Sequence, residues 1–312
     1  MNLRIGSRGS QLALWQANHI ATLLRGQGHA VEIEIIKTTG DRLQEVTFAQ
    51  VGSKGMFTKE IEEALAEGRV DLAVHSLKDL PTELAELFAL AATPPRVDPR
   101  DAFVSAHYPN LAALPPGARV GTSSQRRRAQ LKALRPDLHP VEFRGNVDTR
   151  LRQLGEGQVQ AILLASAGLD RLEKTEWVRE RLEPKDFCPA AGQGSLGIET
   201  RNGDEATISA LAFLDNPATR FAVTAERAAL AALGGGCQVP IGIHCRPAAE
   251  NQNEIFGVVA APETGEAVRV HLTVAAGSCA PEELGRRAVE KLLAAGAGAL
   301  LAASAVLPEA IG

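Results

Sequence analysis

The chain has 312 residues, 45% of them apolar and 22% charged, with a net charge of −4. That length accommodates two or three domains with separate cores, and the balance of residue types excludes a disordered or membrane-embedded chain. The longest uncharged run, Leu292 to Leu307, is broken by Gly296 and Gly298. It falls short of the roughly 20 apolar residues of a membrane span, so core helix and strand are expected there.

The chain opens Met1-Asn2-Leu3-Arg4-Ile5-Gly6-Ser7-Arg8 without an apolar leader core, which predicts a cytoplasmic protein. Leu3–Gly6 reads as a strand, Gln11–Leu24 as a helix with apolar residues at helical spacing, and His29–Ile36 as an alternating strand. A polar stretch from Lys37 to Lys54 reads as a long loop, of the kind that is functional or mobile inside a compact domain. Helix Thr58–Glu67 and strand Val70–His75 follow, and strands alternating with helices imply a largely parallel α/β sheet with its ligand at the strands' carboxyl ends.

Pro94-Pro95-Arg96-Val97-Asp98-Pro99 interrupts the alternation and reads as a crossing between domains. A second α/β unit is predicted beyond it, with strands at Ala102–Ser105, Arg119–Gly121, Leu138–Phe143 and Val159–Ala165 and helices at Ser124–Leu134 and Val147–Leu154. Pro184 and Cys188-Pro189-Ala190-Ala191-Gly192 form a second break, and Asn216-Pro217 caps an amphipathic helix, Ala218–Leu233. Strands at Gly242–Cys245, Glu254–Val259 and Val268–Ala275 and helix Pro281–Leu293 complete a small α+β domain. Two α/β lobes joined by extended crossings point to a cleft that closes over its ligand.

Charge is concentrated in one place. Arg119 to Arg152 holds nine Lys/Arg against Asp137, Glu142 and Asp148, a local +6 that leaves −10 for the rest of the chain. Within it, Gly121-Thr122-Ser123-Ser124-Gln125-Arg126-Arg127-Arg128 reads as a strand end, N-cap hydroxyls and a first helical turn, a natural anion site. Arg144-Gly145-Asn146 and Asp148-Thr149-Arg150-Leu151-Arg152 repeat the layout. Guanidinium forks suit a ligand with several carboxylates or phosphates, and a solvated arginine-rich helix face fits the same run equally well.

Three further motifs bear on chemistry. Val74-His75-Ser76-Leu77-Lys78-Asp79-Leu80-Pro81 places a carboxylate beside a lysine at a strand's carboxyl end, although an exposed ion pair on a turn would look the same. His75 fits a base or a packed structural residue. Leu233-Gly234-Gly235-Gly236-Cys237-Gln238-Val239-Pro240 sets a thiol on a loop whose glycines allow close backbone approach; a covalent cofactor tether and an inert thiol both remain open. Gly192-Gln193-Gly194-Ser195-Leu196-Gly197 satisfies GxGxxG but follows no strand, and Glu199 comes too soon for a dinucleotide site. Cys188, Cys237, Cys245 and Cys279 match no zinc pattern and HExxH is absent, so no metal is expected and the thiols are read as reduced.

In order along the chain, Arg8-Gly9-Ser10 with Leu12–Ala17, Val51–Phe57, Ala73–Pro81, Asp98–Phe103, Gly121–Arg127, Arg144–Arg152, Ala190–Gly197 and Gly235–Gly242 resemble the porphobilinogen deaminase (hydroxymethylbilane synthase) family. The resemblance implies a transferase that joins four porphobilinogens head to tail, with loss of ammonia, into the linear tetrapyrrole hydroxymethylbilane. It also implies a dipyrromethane cofactor in thioether linkage to Cys237, and two type II periplasmic-binding-protein-like lobes with mixed, mainly parallel sheets plus a small C-terminal α+β domain. The domains expected are 1–95 with 195–213, 100–189, and 217–312.

By the same resemblance Asp79 is the catalytic carboxylate, stabilising the azafulvenium cation left when ammonia departs. Ser76, Lys78, Asp79, Thr122, Ser123, Ser124, Arg126, Arg127, Arg144 and Gly145 would hold the cofactor. Arg8, Ser10, Gln16, Lys54, Arg144, Arg150, Arg171 and Gln193 would hold substrate, whose every ring carries an acetate and a propionate. Asp41 and Lys54 fall where the family has its active-site lid. Gln50 stands where many relatives have lysine, and Arg128 is an additional third arginine. The resemblance further implies a monomer with no nucleic-acid or membrane partner. A two-lobed solute-binding module is the rival, but it has no use for Gly235-Gly236-Cys237; a nucleic-acid binder would interleave aromatics with the basic residues, where only Phe143 occurs.

Overall fold

A computed structural model describes residues 1–38, 58–235 and 239–305. The chain forms two compact units, Met1–Val97 with Gly194–Phe221, and Asp98–Gln193 with the segment from Ala222 onward.

In chain order the first unit supplies β1 (Asn2–Ser7), α1 (Gln11–Gly26), β2 (Ala30–Ile35), α2 (Lys59–Ala66), β3 (Leu72–Ser76) and β4 (Phe88–Ala92). The second begins with β5 (Asp101–Val104), β6 (Arg119–Gly121), α3 (Gln125–Leu134), β7 (His139–Val141), α4 (Val147–Gly155), β8 (Ala161–Ala165), α5 (Ser166–Arg171) and β9 (Val178–Leu182). The chain then returns to the first unit as β10 (Leu196–Arg201) and α6 (Glu205–Leu211) before α7 (Pro217–Ala232), which runs on into the second. A meander of β11 (Ile241–Ala248), β12 (Gln252–Ala260) and β13 (Ala267–Ala275) follows, with α8 (Pro281–Ala294) and α9 (Ala297–Ala305).

The first sheet has the order β2-β1-β3-β10-β4 and the second β7-β6-β8-β5-β9. Each thus has a three-strand parallel half and two antiparallel pairings made by a strand entering from elsewhere in the chain, β10 or β5. Both lobes share this arrangement. The sheets are mixed as expected, but parallel pairings do not outnumber antiparallel ones. The expectation of mainly parallel sheets followed from reading only the alternating strand–helix stretches.

Alternation along the strands explains the layers. Leu3 and Ile5 of β1 and Leu72 and Val74 of β3 meet Ala17, Ile20 and Leu24 of α1 in one core. Ala73 points to the opposite face, where Ile61, Ala64 and Leu65 of α2 cover it. The second sheet is likewise buried on both sides, around Phe103, Leu131 and Leu163 on one and Val104, Ile162 and Leu169 on the other. Sheet faces covered on both sides require short strands of nearly continuous apolar residues, which is why Ala161–Ala165 reads Ala-Ile-Leu-Leu-Ala.

The three-stranded meander packs its Phe256, Val258 and Ala260 against Cys188 and Ala129. Fully buried Glu226 on α7 ties the same region together, accepting from the backbone N–H groups of Gly192 and Cys245, each at 2.7 Å. Gly242 lies where β11 crosses this junction: an added Cβ would sit 2.7 Å from the Cys188 carbonyl oxygen, a backbone atom already accepting from Arg126 and Gln130. Gly242→Ala is therefore expected to lower the unfolding free energy by about 1–3 kcal/mol, as overpacking against backbone does, measured by urea denaturation.

Candidate active site

At the carboxyl end of β3 the chain leaves the sheet in a single 3-10 turn, Leu77–Asp79, closed by the Leu80 N–H donating to the Leu77 carbonyl at 3.2 Å. Leu77 and Leu80 are buried at 1% and 3% exposure, so they pin the turn while Lys78 stays half-buried and Asp79 is exposed. The neighbouring parallel strand β1 ends at the same edge, which brings Arg8 and Ser10 alongside. Ser10 caps α1, accepting from the Ala13 N–H. Gln16, a turn and a half further on, is buried and donates from Nε2 to Ser76 Oγ at 2.8 Å. Arg8, Ser10, Gln16, His75, Ser76 and Asp79 line one pocket of about 70 Å³. The first unit therefore gathers five of the expected site residues, with His75 an additional member of the wall.

In the second unit β6 ends at Gly121, and the three hydroxyls that follow serve the turn. Thr122 Oγ1 accepts from the Ser124 N–H, Ser123 Oγ donates to the Phe143 carbonyl at 2.8 Å, and Ser124 Oγ caps α3 by accepting from the Arg127 N–H. One turn into α3, Arg126 and Arg127 are 5% and 6% exposed and converge on Asp101, which is fully buried. Arg126 Nη1 donates to Asp101 Oδ2 at 2.6 Å and to the Cys188 carbonyl at 2.7 Å. Arg127 Nε donates to Asp101 Oδ1 at 2.9 Å and its Nη1 to the Leu163 carbonyl at 3.1 Å. Gln193 joins the same carboxylate, donating from Nε2 to Asp101 Oδ1 at 3.0 Å and to the Pro99 carbonyl at 2.7 Å.

Burial alone would push the Asp101 carboxyl up, yet the adjacent Arg126 and Arg127, with hydrogen bonds from Arg126 and Gln193, hold it well below the usual carboxylate range. Two guanidiniums over one carboxylate leave a net positive charge in a place with little water. Arg126, Arg127 and Gln193, expected from the sequence as ligand contacts, are thus also parts of an internal cluster built on Asp101. Asp101 was passed over because it appeared only as one letter of a motif; the signal was there in an acid opening a buried apolar strand, Asp-Ala-Phe-Val.

Arg150 contrasts with that pair. Its Nε donates to the Gly145 carbonyl at 2.8 Å, and among the described residues no carboxylate lies within ion-pair distance. Burial, and then the nearby Arg127 and Arg144, push its guanidinium down to about 10, with Glu142 opposing. Arg144 is half-buried and donates from Nε to Glu142 Oε1 at 2.7 Å. Gly145 takes φ +114°, and an added Cβ would lie 2.7 Å from Thr149 Cγ2, so the turn into α4 demands glycine. Arg171, at the end of α5, is 7% exposed, and burial pushes its guanidinium down to about 10 against the opposing charge of Asp170. Cys237, Lys54, Asp41 and Gln50 lie outside the described residues.

A family model described as porphobilinogen deaminase, dipyromethane cofactor binding domain, matches residues 3–209, and one for the C-terminal domain of porphobilinogen deaminase matches residues 220–294. The chain belongs to the porphobilinogen deaminase family. It is 48% identical to the porphobilinogen deaminase of Nitratidesulfovibrio vulgaris (strain DSM 19637 / Miyazaki F) over 96% of both chains. It is 50% identical to that of Roseiflexus castenholzii over 96% of this chain and 99% of the other. Among solved structures, the methionine-binding protein MetQ matches with a TM-score of 0.44 at 12% identity, over 68% of this chain and 89% of that one. The chain is accordingly a transferase of tetrapyrrole biosynthesis, a hydroxymethylbilane synthase acting on porphobilinogen with a dipyrromethane cofactor. The residues around Arg150 fit that cofactor: a guanidinium that no described carboxylate meets suits a group bearing acetates and propionates.

Removing Asp101 would leave two buried cations facing each other, so Asp101→Ala is expected to cost about 3–5 kcal/mol in urea denaturation. The carboxyl's folded pKa is depressed, so its contribution is full above the unfolded value near ~4 and is lost as pH falls toward the folded one. Acid titration followed by circular dichroism should show that decline in the wild type and not in Asp101→Asn.

Proposed function

We propose that Asp79 is the carboxylate that steadies the positive charge developing as ammonia leaves porphobilinogen, and that Cys237 is the attachment point of the dipyrromethane. Arg144, Arg150 and Arg171, with Arg126 and Arg127 held on Asp101, receive acetate and propionate groups; Thr122, Ser123, Ser124 and Gly145 shape the turns that present them. Arg8, Ser10, Gln16, Ser76 and Lys78 surround the reacting end of the substrate, and Lys54 and Gln193 complete the set. Bound, the dipyrromethane supplies the primer onto which pyrrole units are added.

The observation that carries this reading is Arg150, a half-buried guanidinium near two others with no described carboxylate within ion-pair distance. Transfer of an arginine fork out of water is costly unless a carboxylate meets it, and bidentate pairing with a carboxylate provides that. At the other pocket, Asp79 is the exposed acid of a turn whose flanking leucines are buried, so a fixed negative charge is available without prior rearrangement. The protein would work as a cytoplasmic monomer, without nucleic-acid partners, as three domains at 1–95 with 195–213, 100–189 and 217–312. No helix among the described residues is long and apolar enough to cross a membrane.

Intact-mass measurement and steady-state turnover together test the assignment. The purified wild type should carry a two-pyrrole adduct, and Cys237→Ser should not. Asp79→Asn should keep the adduct and lose about 10²–10³ in turnover, the scale of one charge-stabilising group. Near-normal turnover in Asp79→Asn would remove that residue from the mechanism. Arg150→Leu should weaken substrate use by about 2–4 kcal/mol in kcat/KM, the scale of a charge-assisted pair; an unchanged kcat/KM would remove Arg150 from the anion site.

A further inference from the structure

His75 and Glu199 have no part in the roles assigned above, yet His75 stands in the wall of the pocket that holds Asp79, with Glu199 buried behind it. His75 Nε2 and Glu199 Oε2 are 2.9 Å apart, with His75 7% exposed and Glu199 fully buried. The sheet register produces the pair. Ala73 faces Glu199 and His75 faces Gly197 across β3 and β10, so the imidazole reaches its carboxylate along the diagonal, over a residue without a side chain. An added Cβ at Gly197 would lie 2.8 Å from Leu77 Cδ1, in the turn that carries Asp79, so the same glycine serves both.

The charged groups around the ring come from every side. Glu199 is on β10, Glu62 on α2, and Asp79 and Arg8 are at the pocket rim. Burial, and then Glu199, push the Glu62 carboxyl up, with Thr58 and His75 opposing. Glu199 Oε1 is buried with no hydrogen-bond partner among the described residues. An ion pair kept only for stability would gain little here, because burying both partners costs about as much as their attraction returns. A carboxylate accepting from Nε2–H fixes the tautomer and leaves Nδ1 as the ring's basic nitrogen, the arrangement that poises a histidine to take a proton.

Each condensation must dispose of one. The C–N bond of the substrate's protonated aminomethyl group breaks, and nitrogen departs with the electron pair as ammonia. The α-carbon of an acceptor pyrrole then forms the new C–C bond using its ring electrons. That carbon's C–H bond breaks, its pair returns to the ring and the proton is expelled; the ammonia finally carries that proton away as ammonium.

We propose that His75, held by Glu199, accepts the α-proton expelled in each condensation and passes it on. Glu199 is the positioning residue, and its negative charge offsets the imidazolium that forms. The inference rests on the reading of the Asp79 pocket as the place of condensation.

The test uses porphobilinogen deuterated at its free α-carbon, with the full-length enzyme carrying its cofactor. His75→Asn should keep the mass adduct while turnover falls about 10²-fold, the scale of a lost general base. Its α-deuterium isotope effect should rise above that of the wild type, because proton removal becomes the slow step. Glu199→Gln keeps an acceptor for Nε2–H without the charge and should fall about tenfold, with an isotope effect rising the same way; it decides the matter alone if His75→Asn does not fold. Turnover within about twofold of wild type, or a slower enzyme with an unchanged isotope effect, overturns the proposal, since a merely structural role slows every step alike. Asp79→Asn distinguishes the underlying reading: it should be slow without a raised α-deuterium effect, its defect lying in cation formation.

Discussion

A single buried carboxylate between two guanidiniums organises the second unit. Asp101 starts β5, and Arg126 and Arg127 start α3; their meeting joins a strand, a helix N-terminal turn, the Cys188 carbonyl and Gln193 in one cluster. The desolvation of three ions is offset only because the geometry is close and the remaining donors find backbone carbonyls. The cluster also stays net positive, so it holds its arginines in place without cancelling their charge. Arg150 extends that field with a half-buried guanidinium that no described carboxylate meets within ion-pair distance.

The first unit solves a different problem with the same architecture. A parallel three-strand half ends in loops on one edge, and the short turn after β3 lifts Asp79 out of the sheet on two buried leucines. Carboxyl ends of parallel strands are where such sheets expose backbone and side chains to ligands, because the connecting helices cover the faces. Beneath that edge, β10 places Glu199 against His75, coupling the pocket wall to a strand contributed by a distant part of the chain.

Much of this was legible in the residues. The alternation of β1, α1 and β2, the N-cap hydroxyls ahead of α3 and the glycine at 145 follow from periodicity and turn chemistry, which are local. Less accessible were β4, β9 and β10. β9 reads Val-Arg-Glu-Arg-Leu, too charged to announce a buried sheet, and β10 begins inside a glycine-rich run that resembles a phosphate loop. The antiparallel half of the first sheet and the edge strand of the second therefore gave no signal. The buried acids were hidden for a related reason: Asp101, Glu199 and Glu226 each sit in an apolar stretch, and only long-range pairing with Arg126, His75 or the Gly192 N–H shows what they do. Arg126 and Arg127 were recognised as carboxylate binders, but one of the carboxylates they bind is the protein's own.

The central claim is that the second unit presents Arg150, which no described carboxylate meets within ion-pair distance, to a pyrrole acid group while Asp101 keeps Arg126 and Arg127 in place. A crystal structure with the dipyrromethane bound tests it most directly. The account predicts an acetate or propionate oxygen within hydrogen-bond distance of the Arg150 guanidinium, with Asp101 still joined to Arg126 and Arg127. An Arg150 side chain turned to solvent, or an Asp101 cluster broken open to free its arginines, would contradict it.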